Sequence, residues 1–114
     1  MIWLLALLAA APPKATPELI ARGRSLYAVW CVACHGETGA GDGPTAHTLD
    51  PRPRNFRTQK FKQGARVEDI FNTLLKGVPG TAMVPYKNLS DEDRWALAYH
   101  VAELRAETAG GGKK

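Results

Sequence analysis

Apolar positions along the chain recur at helical spacing in three places, and no stretch of useful length alternates as a strand would. Thr16-Pro17-Glu18 reads as a helix start, with Thr16 as N-cap, Pro17 at the first helical position and an acid near the positive end of the dipole. Ile20, Gly23, Tyr27 and Trp30 then repeat at helical intervals, so the first helix is expected from about residue 17 toward Cys31. Val67, Ile70, Phe71 and Leu74 stand at i, i+3, i+4 and i+7, and Gly77 supplies a stop. A third helix is expected from Ser90, where Ser90-Asp91-Glu92-Asp93 resembles a capping box ahead of Leu97, Val101 and Leu104. Between the first two helices, Gly36 to Pro44 is too glycine-rich for regular structure and reads as a tight loop.

The ends differ from this middle. Residues 1–11 form an apolar run of signal-peptide length, shorter than the roughly 20 residues that span a bilayer, so no transmembrane helix is expected. Ala9-Ala10-Ala11 offers the small-residue cleavage pattern, although no Lys or Arg precedes the run and Pro12-Pro13 follows it. The segment is read as export information. Gly110 to Lys114 has no apolar residue to bury. The expected organisation is an export segment and linker over 1–15, one domain over 16–106 and a flexible tail over 107–114.

At 114 residues the chain allows one small domain, thin for an apolar core of its own once both ends are set aside. The formal net charge is +4, which is not strongly basic. Between Asp50 and Glu68, however, Arg52, Arg54, Arg57, Lys60, Lys62 and Arg66 occur without an acidic residue among them. No nucleic-acid-binding module accompanies this stretch, so a nucleic-acid partner is not expected. A docking face for an acidic protein and a solvated loop account for it equally well.

The chemistry concentrates in Trp30-Cys31-Val32-Ala33-Cys34-His35, which contains the C-x-x-C-H pattern of covalent c-type haem attachment. On a helical turn positions 31, 34 and 35 share one face, so two thiols can add to haem vinyl groups while the imidazole binds iron. A thioredoxin-type pair would need a preceding strand and a βαβ frame, and neither is evident. A zinc site would need a second histidine three to five residues after His47, and His100 is the only later candidate. A disulfide between Cys31 and Cys34 would leave His35 unexplained. The haem would also fill the deficit in the core, giving an all-α domain of helices packed around one covalent haem.

With these residues in place, the chain from about Glu18 to Leu104 resembles a class I monohaem c-type cytochrome. The resemblance rests on Gly23-Arg24-Ser25-Leu26-Tyr27 leading into Cys31, on Cys34-His35-Gly36, on Gly41-Asp42-Gly43-Pro44, and on Gly80-Thr81-Ala82-Met83 followed by Leu89 to Trp95. It implies Met83 as the second axial iron ligand opposite His35, with His47 and His100 as competitors and core filling as the plain alternative. It also implies that the Pro44 carbonyl accepts the second ring proton of His35, and that Arg52 or Arg54 pairs with the haem propionates. Phe56 and Tyr86 fit a haem edge and the protein core equally well. Where the family places an aromatic residue against the first helix near Gly23, this chain offers Tyr99 and His100.

The function implied is a soluble, exported, periplasmic one-electron carrier of a respiratory or related redox chain, exchanging electrons with a redox protein donor and acceptor such as a membrane oxidase or reductase. With both axial positions filled no substrate reaches iron, and no acid-base or nucleophile arrangement appears elsewhere, so an enzyme is not expected. The alternatives are a cytochrome subunit of a larger membrane-associated redox complex and a haem sensor with labile Met83.

Overall fold

The computed structural model describes the backbone of residues 11–111 and the side chains through residue 106. Residues 1–10 of the expected export segment, and the last three residues of the expected tail, lie outside the described residues. The protein is all-α, and no strand occurs among the described residues.

Helix α1 spans Pro17–Trp30, and the Thr16 hydroxyl accepts the Leu19 N–H at 3.2 Å in the capping role its position implied. Leu19, Gly23 and Tyr27 form its buried stripe at intervals of four residues. A single further turn, α2 (Val32–His35), carries the second thiol and the imidazole. A 3₁₀ turn follows at Ala46–Thr48. Helix α3 (Val67–Lys76) begins where the Asp69 carboxylate accepts the Arg66 N–H at 3.1 Å, buries Ile70 and Leu74, and stops at Gly77. Helix α4 (Asp91–Gly111) starts at Ser90, whose hydroxyl accepts the Asp93 N–H at 3.1 Å.

Helix α4 is the spine: α1 packs on one side of it and α3 on another. A Cβ built on Gly23 would stand 2.2 Å from the Ala96 carbonyl oxygen, so α1 and α4 cross backbone to backbone and no larger residue fits there. One helical turn along, the Tyr27 ring meets the His100 imidazole edge-on, with centroids 4.8 Å apart. Of the two candidates for the helix-to-helix aromatic contact, His100 takes it. Tyr99 instead donates its hydroxyl to the Pro13 carbonyl at 2.6 Å, tying the chain ahead of α1 to α4. On the α3 side Phe71 stacks on Trp95 with centroids 4.0 Å apart and planes 15° from parallel.

Across the α1–α4 seam Arg22 pairs with Asp93 and Arg24 with Glu103. These pairs are half exposed on the arginine side and contribute little stability compared with the buried seam beneath them.

Helical backbone continues through Gly111, into the stretch read from the sequence as a tail.

Candidate functional site

The residues between α1 and the Met83 loop enclose a cleft of about 1170 Å³, counting its open mouth. Tyr27, Ile70, Leu74 and Val101 give it an apolar wall, and Cys31, Cys34, His35 and Met83 all line it. The sequence-predicted thiols, imidazole and thioether are therefore brought to one space.

Both cysteines are free thiols, so the disulfide reading fails. Cys31 is buried, and its thiol is pushed up to about 12 by that burial first and by the neighbouring Cys34 second. Cys34, partly exposed, has its sulfur 3.6 Å from the Thr45 hydroxyl. The absence of strands among the described residues removes the frame a thioredoxin-type pair needs. Nor do the described residues gather three or more His, Cys, Asp or Glu side chains around one point, so the thiols lack the four-donor set of a closed zinc site.

His35 is held on two sides. Its Nδ1 lies 3.1 Å from the Arg54 carbonyl oxygen, and since that oxygen only accepts, Nδ1 carries the proton and Nε2 keeps its lone pair. Phe56 lies over the ring at 4.6 Å between centroids, 26° from parallel. Burial lowers the imidazole pKa, and the Arg54 hydrogen bond opposes that shift in part. The balance favours neutral imidazole, the form that ligates a metal.

The Arg54 carbonyl corrects the expectation for Pro44. Gly43 and Thr45, on either side of Pro44, give their N–H groups to the Cys34 and Ala33 carbonyls at 3.1 and 2.9 Å. That binds the segment to the backbone of α2, leaves Pro44 exposed, and keeps it out of the cleft lining. Gly39 makes the replacement contact possible. Its φ of +80° is open to glycine, a Cβ there would meet the Phe56 ring at 2.4 Å, and its carbonyl accepts the Phe56 N–H at 2.7 Å. The segment 54–56 is thereby drawn under His35.

Arg52 and Arg54 both line the cleft, as does Lys62, and among the described residues no acidic one does. Arg57 and Lys60 are exposed outside the lining, while Arg66 faces Glu68 and Asp69 at the start of α3. The basic stretch is therefore divided rather than a single patch. His47 sits exposed on the 3₁₀ turn and His100 packs on Tyr27; neither lines the cleft, whereas Met83 does. Phe56 proves to be a support for His35, and Tyr86 closes one edge, its ring meeting Trp30 edge-on at 6.2 Å.

This donor set fits a covalently attached haem: two thiols three residues apart, an imidazole beside them with a free nitrogen, and a largely apolar slot whose lining includes Arg52, Arg54 and Lys62. Residues 18–101 match the family described as cytochrome c oxidase, cbb3-type, subunit III. The chain belongs to this family. A solved structure, the Kuenenia stuttgartiensis reducing HAO-like protein complex Kustc0457/Kustc0458, is similar at 36% identity and a TM-score of 0.75, covering 82% of this chain and 47% of that one. The chain thus spans about half the length of that solved chain. No functionally curated protein matches it. Membership makes this cbb3-type cytochrome c domain an electron-transfer protein with haem c and iron.

The sequence reading missed Arg54 as a backbone acceptor and Phe56 as the ring under His35. Neither had a signal in the chain, because both contacts depend on how a loop of about 20 residues returns to α2.

Proposed function

We propose that the protein is an exported one-electron carrier with His35 and Met83 as the two axial iron ligands. The observation that supports this reading is that Cys31, Cys34, His35 and Met83 line one apolar cleft, with His35 Nδ1 already held by the Arg54 carbonyl.

Haem c supplies a reversible Fe(III)/Fe(II) couple when bound. Cys31 and Cys34 would hold it through two thioethers, and His35 would present Nε2 to iron. The Arg54 carbonyl keeps the Nδ1 proton in place, fixing the ring's orientation and increasing its electron donation. Met83 would supply the second iron ligand, which would deny iron to oxygen and to small ligands and raise the potential. Tyr27, Ile70, Leu74 and Val101 exclude water, so little solvent rearranges as the charge changes. Arg52, Arg54 and Lys62 line the cleft; the two arginines would pair with the propionates, and Lys62 would attract an acidic redox partner.

A second reading, a cytochrome subunit of a larger redox assembly, is favoured by the family description and by the solved complex to which the chain is similar. No helix among the described residues is long and apolar enough to cross a membrane.

Potentiometric titration of the holoprotein, with visible spectra of the ferrous form under carbon monoxide, tests the carrier reading. One reversible one-electron wave and no carbon monoxide adduct are expected in the wild type. Met83→Ala should lower the potential and bind carbon monoxide. A wild-type adduct at low carbon monoxide would refute His35/Met83 ligation and favour a sensor. Transfer to a redox partner that scales with concentration supports a free carrier, whereas concentration-independent transfer supports a subunit.

A further inference from the structure

Arg94, on the first turn of α4, is a buried cation with no part in the cleft lining. It is 6% exposed, and its guanidinium faces inward to the loop that carries Met83. One terminal nitrogen donates to the Tyr86 carbonyl at 2.7 Å and also to the Leu89 carbonyl. The other pairs with Asp91, and the Nε has no hydrogen-bond partner. A charge is buried at a cost, and here its two backbone acceptors lie in the segment joining Met83 to α4.

The opposite side of that segment is also tied. The Tyr86 N–H donates to the Leu74 carbonyl of α3 at 2.8 Å, so the Tyr86 peptide hangs between α3 and Arg94 on α4. Met83 is three residues away. Its own carbonyl accepts the Val78 N–H at 2.9 Å, and its N–H donates to the Thr81 hydroxyl at 3.1 Å. The near end of the loop is closed on itself, and its far end is held by Arg94. The guanidinium also stands 5.8 Å from the Phe71 ring, which stacks on Trp95, so the clamp is braced by the α3–α4 contact.

We infer that Arg94 is a positioning residue that holds the Tyr86–Leu89 segment so that the Met83 thioether stays directed into the cleft opposite His35. It touches neither ligand and acts by making the Met-detached state less favourable. The inference rests on the proposed His35/Met83 ligation.

The test is competition with imidazole in the ferric holoprotein. Arg94→Met removes every donor while keeping an apolar stem, and Arg94→Lys keeps the charge but offers one nitrogen in place of the two that reach the carbonyls and Asp91. Imidazole should bind about tenfold more tightly to Arg94→Met than to wild type, because its apparent affinity follows the fraction of protein with Met83 detached. Arg94→Lys should fall between them, and both variants should show a weakened thioether-to-iron absorption and a lowered potential. Leu19→Ala, which loosens the fold at the far end of α1, should lower thermal stability without moving imidazole affinity or potential. Equal imidazole affinity in wild type and either folded Arg94 variant would overturn the inference. A tightening in Leu19→Ala as large as in Arg94→Met would do the same, since it would reduce the effect to general loosening. Met83→Ala separates the two levels of the argument: if it leaves the thioether absorption and imidazole affinity unchanged, the ligation reading itself is wrong and the role of Arg94 falls with it.

Discussion

Gly23 lies so close to Ala96 that a methyl group on it would come within 2.2 Å of the Ala96 carbonyl oxygen. The contact sets the separation of α1 from α4. Through the next turn it also sets Tyr27 against His100 and directs the Tyr27 hydroxyl to the Gly36 carbonyl at 2.7 Å, immediately after His35. The helix crossing is thus tied to the turn that carries Cys34 and His35.

Gly23→Ala should therefore destabilise the protein even though alanine is the better helix former. The obstacle is backbone, which cannot rotate away, and overpacking of this kind costs roughly 1–3 kcal/mol. Guanidinium denaturation of the holoprotein should show a lower midpoint with an unchanged slope. An unchanged midpoint would mean that the two helices separate freely.

Haem should stay with the polypeptide through acid-acetone extraction and denaturing electrophoresis, because thioethers survive unfolding. Cys31→Ala or Cys34→Ala should reduce covalent attachment, and His35→Ala should disrupt iron ligation. Haem staining of the gel band reads the outcome directly; complete loss from the wild type would refute attachment at these two thiols.

The Glu103 carboxyl is held below the usual carboxylate range, first by its hydrogen bond from Arg24, with the charge of Arg24 and the neighbouring His100 adding to the effect and burial opposing it. A depressed acid stabilises the fold above its unfolded pKa and loses that contribution as pH falls through the folded value. Because the pair is partly exposed, the contribution is about 0.2–1 kcal/mol. Denaturation curves of wild type and Glu103→Gln should differ by this amount near pH 7 and converge below about pH 4, the ordinary carboxylate region. A gap that persists at low pH would show that the glutamine, and not the lost charge, is responsible.

Transfer to an acidic redox partner should slow as salt rises, since attraction between exposed charges is screened over roughly 8–10 Å at moderate ionic strength. A stopped-flow salt series on wild type and the Lys60→Glu, Lys62→Glu variant checks this. Lys62 lines the cleft and should carry most of the change, while Arg66, engaged with Glu68 and Asp69, should matter least. Identical rates and slopes would leave the basic stretch as a solvated loop.

The three main helices and their starts were legible in the chain because each depends on neighbours within a turn or two. Thr16 and Ser90 cap the helices they precede, and Ile70 and Leu74 repeat at the period of α3. The C-x-x-C-H pattern was legible for the same reason, since one helical turn is enough to align two thiols and an imidazole. Backbone acceptors were not. That Arg54 rather than Pro44 offers its carbonyl to His35, that His100 rather than Tyr99 meets Tyr27, and that Arg94 clamps the Met83 loop are matters of where distant segments come to rest. Every residue carries a carbonyl, so only the tertiary path of the loops, fixed by close approaches such as Gly39 to Phe56 and Gly23 to Ala96, decides which one is used.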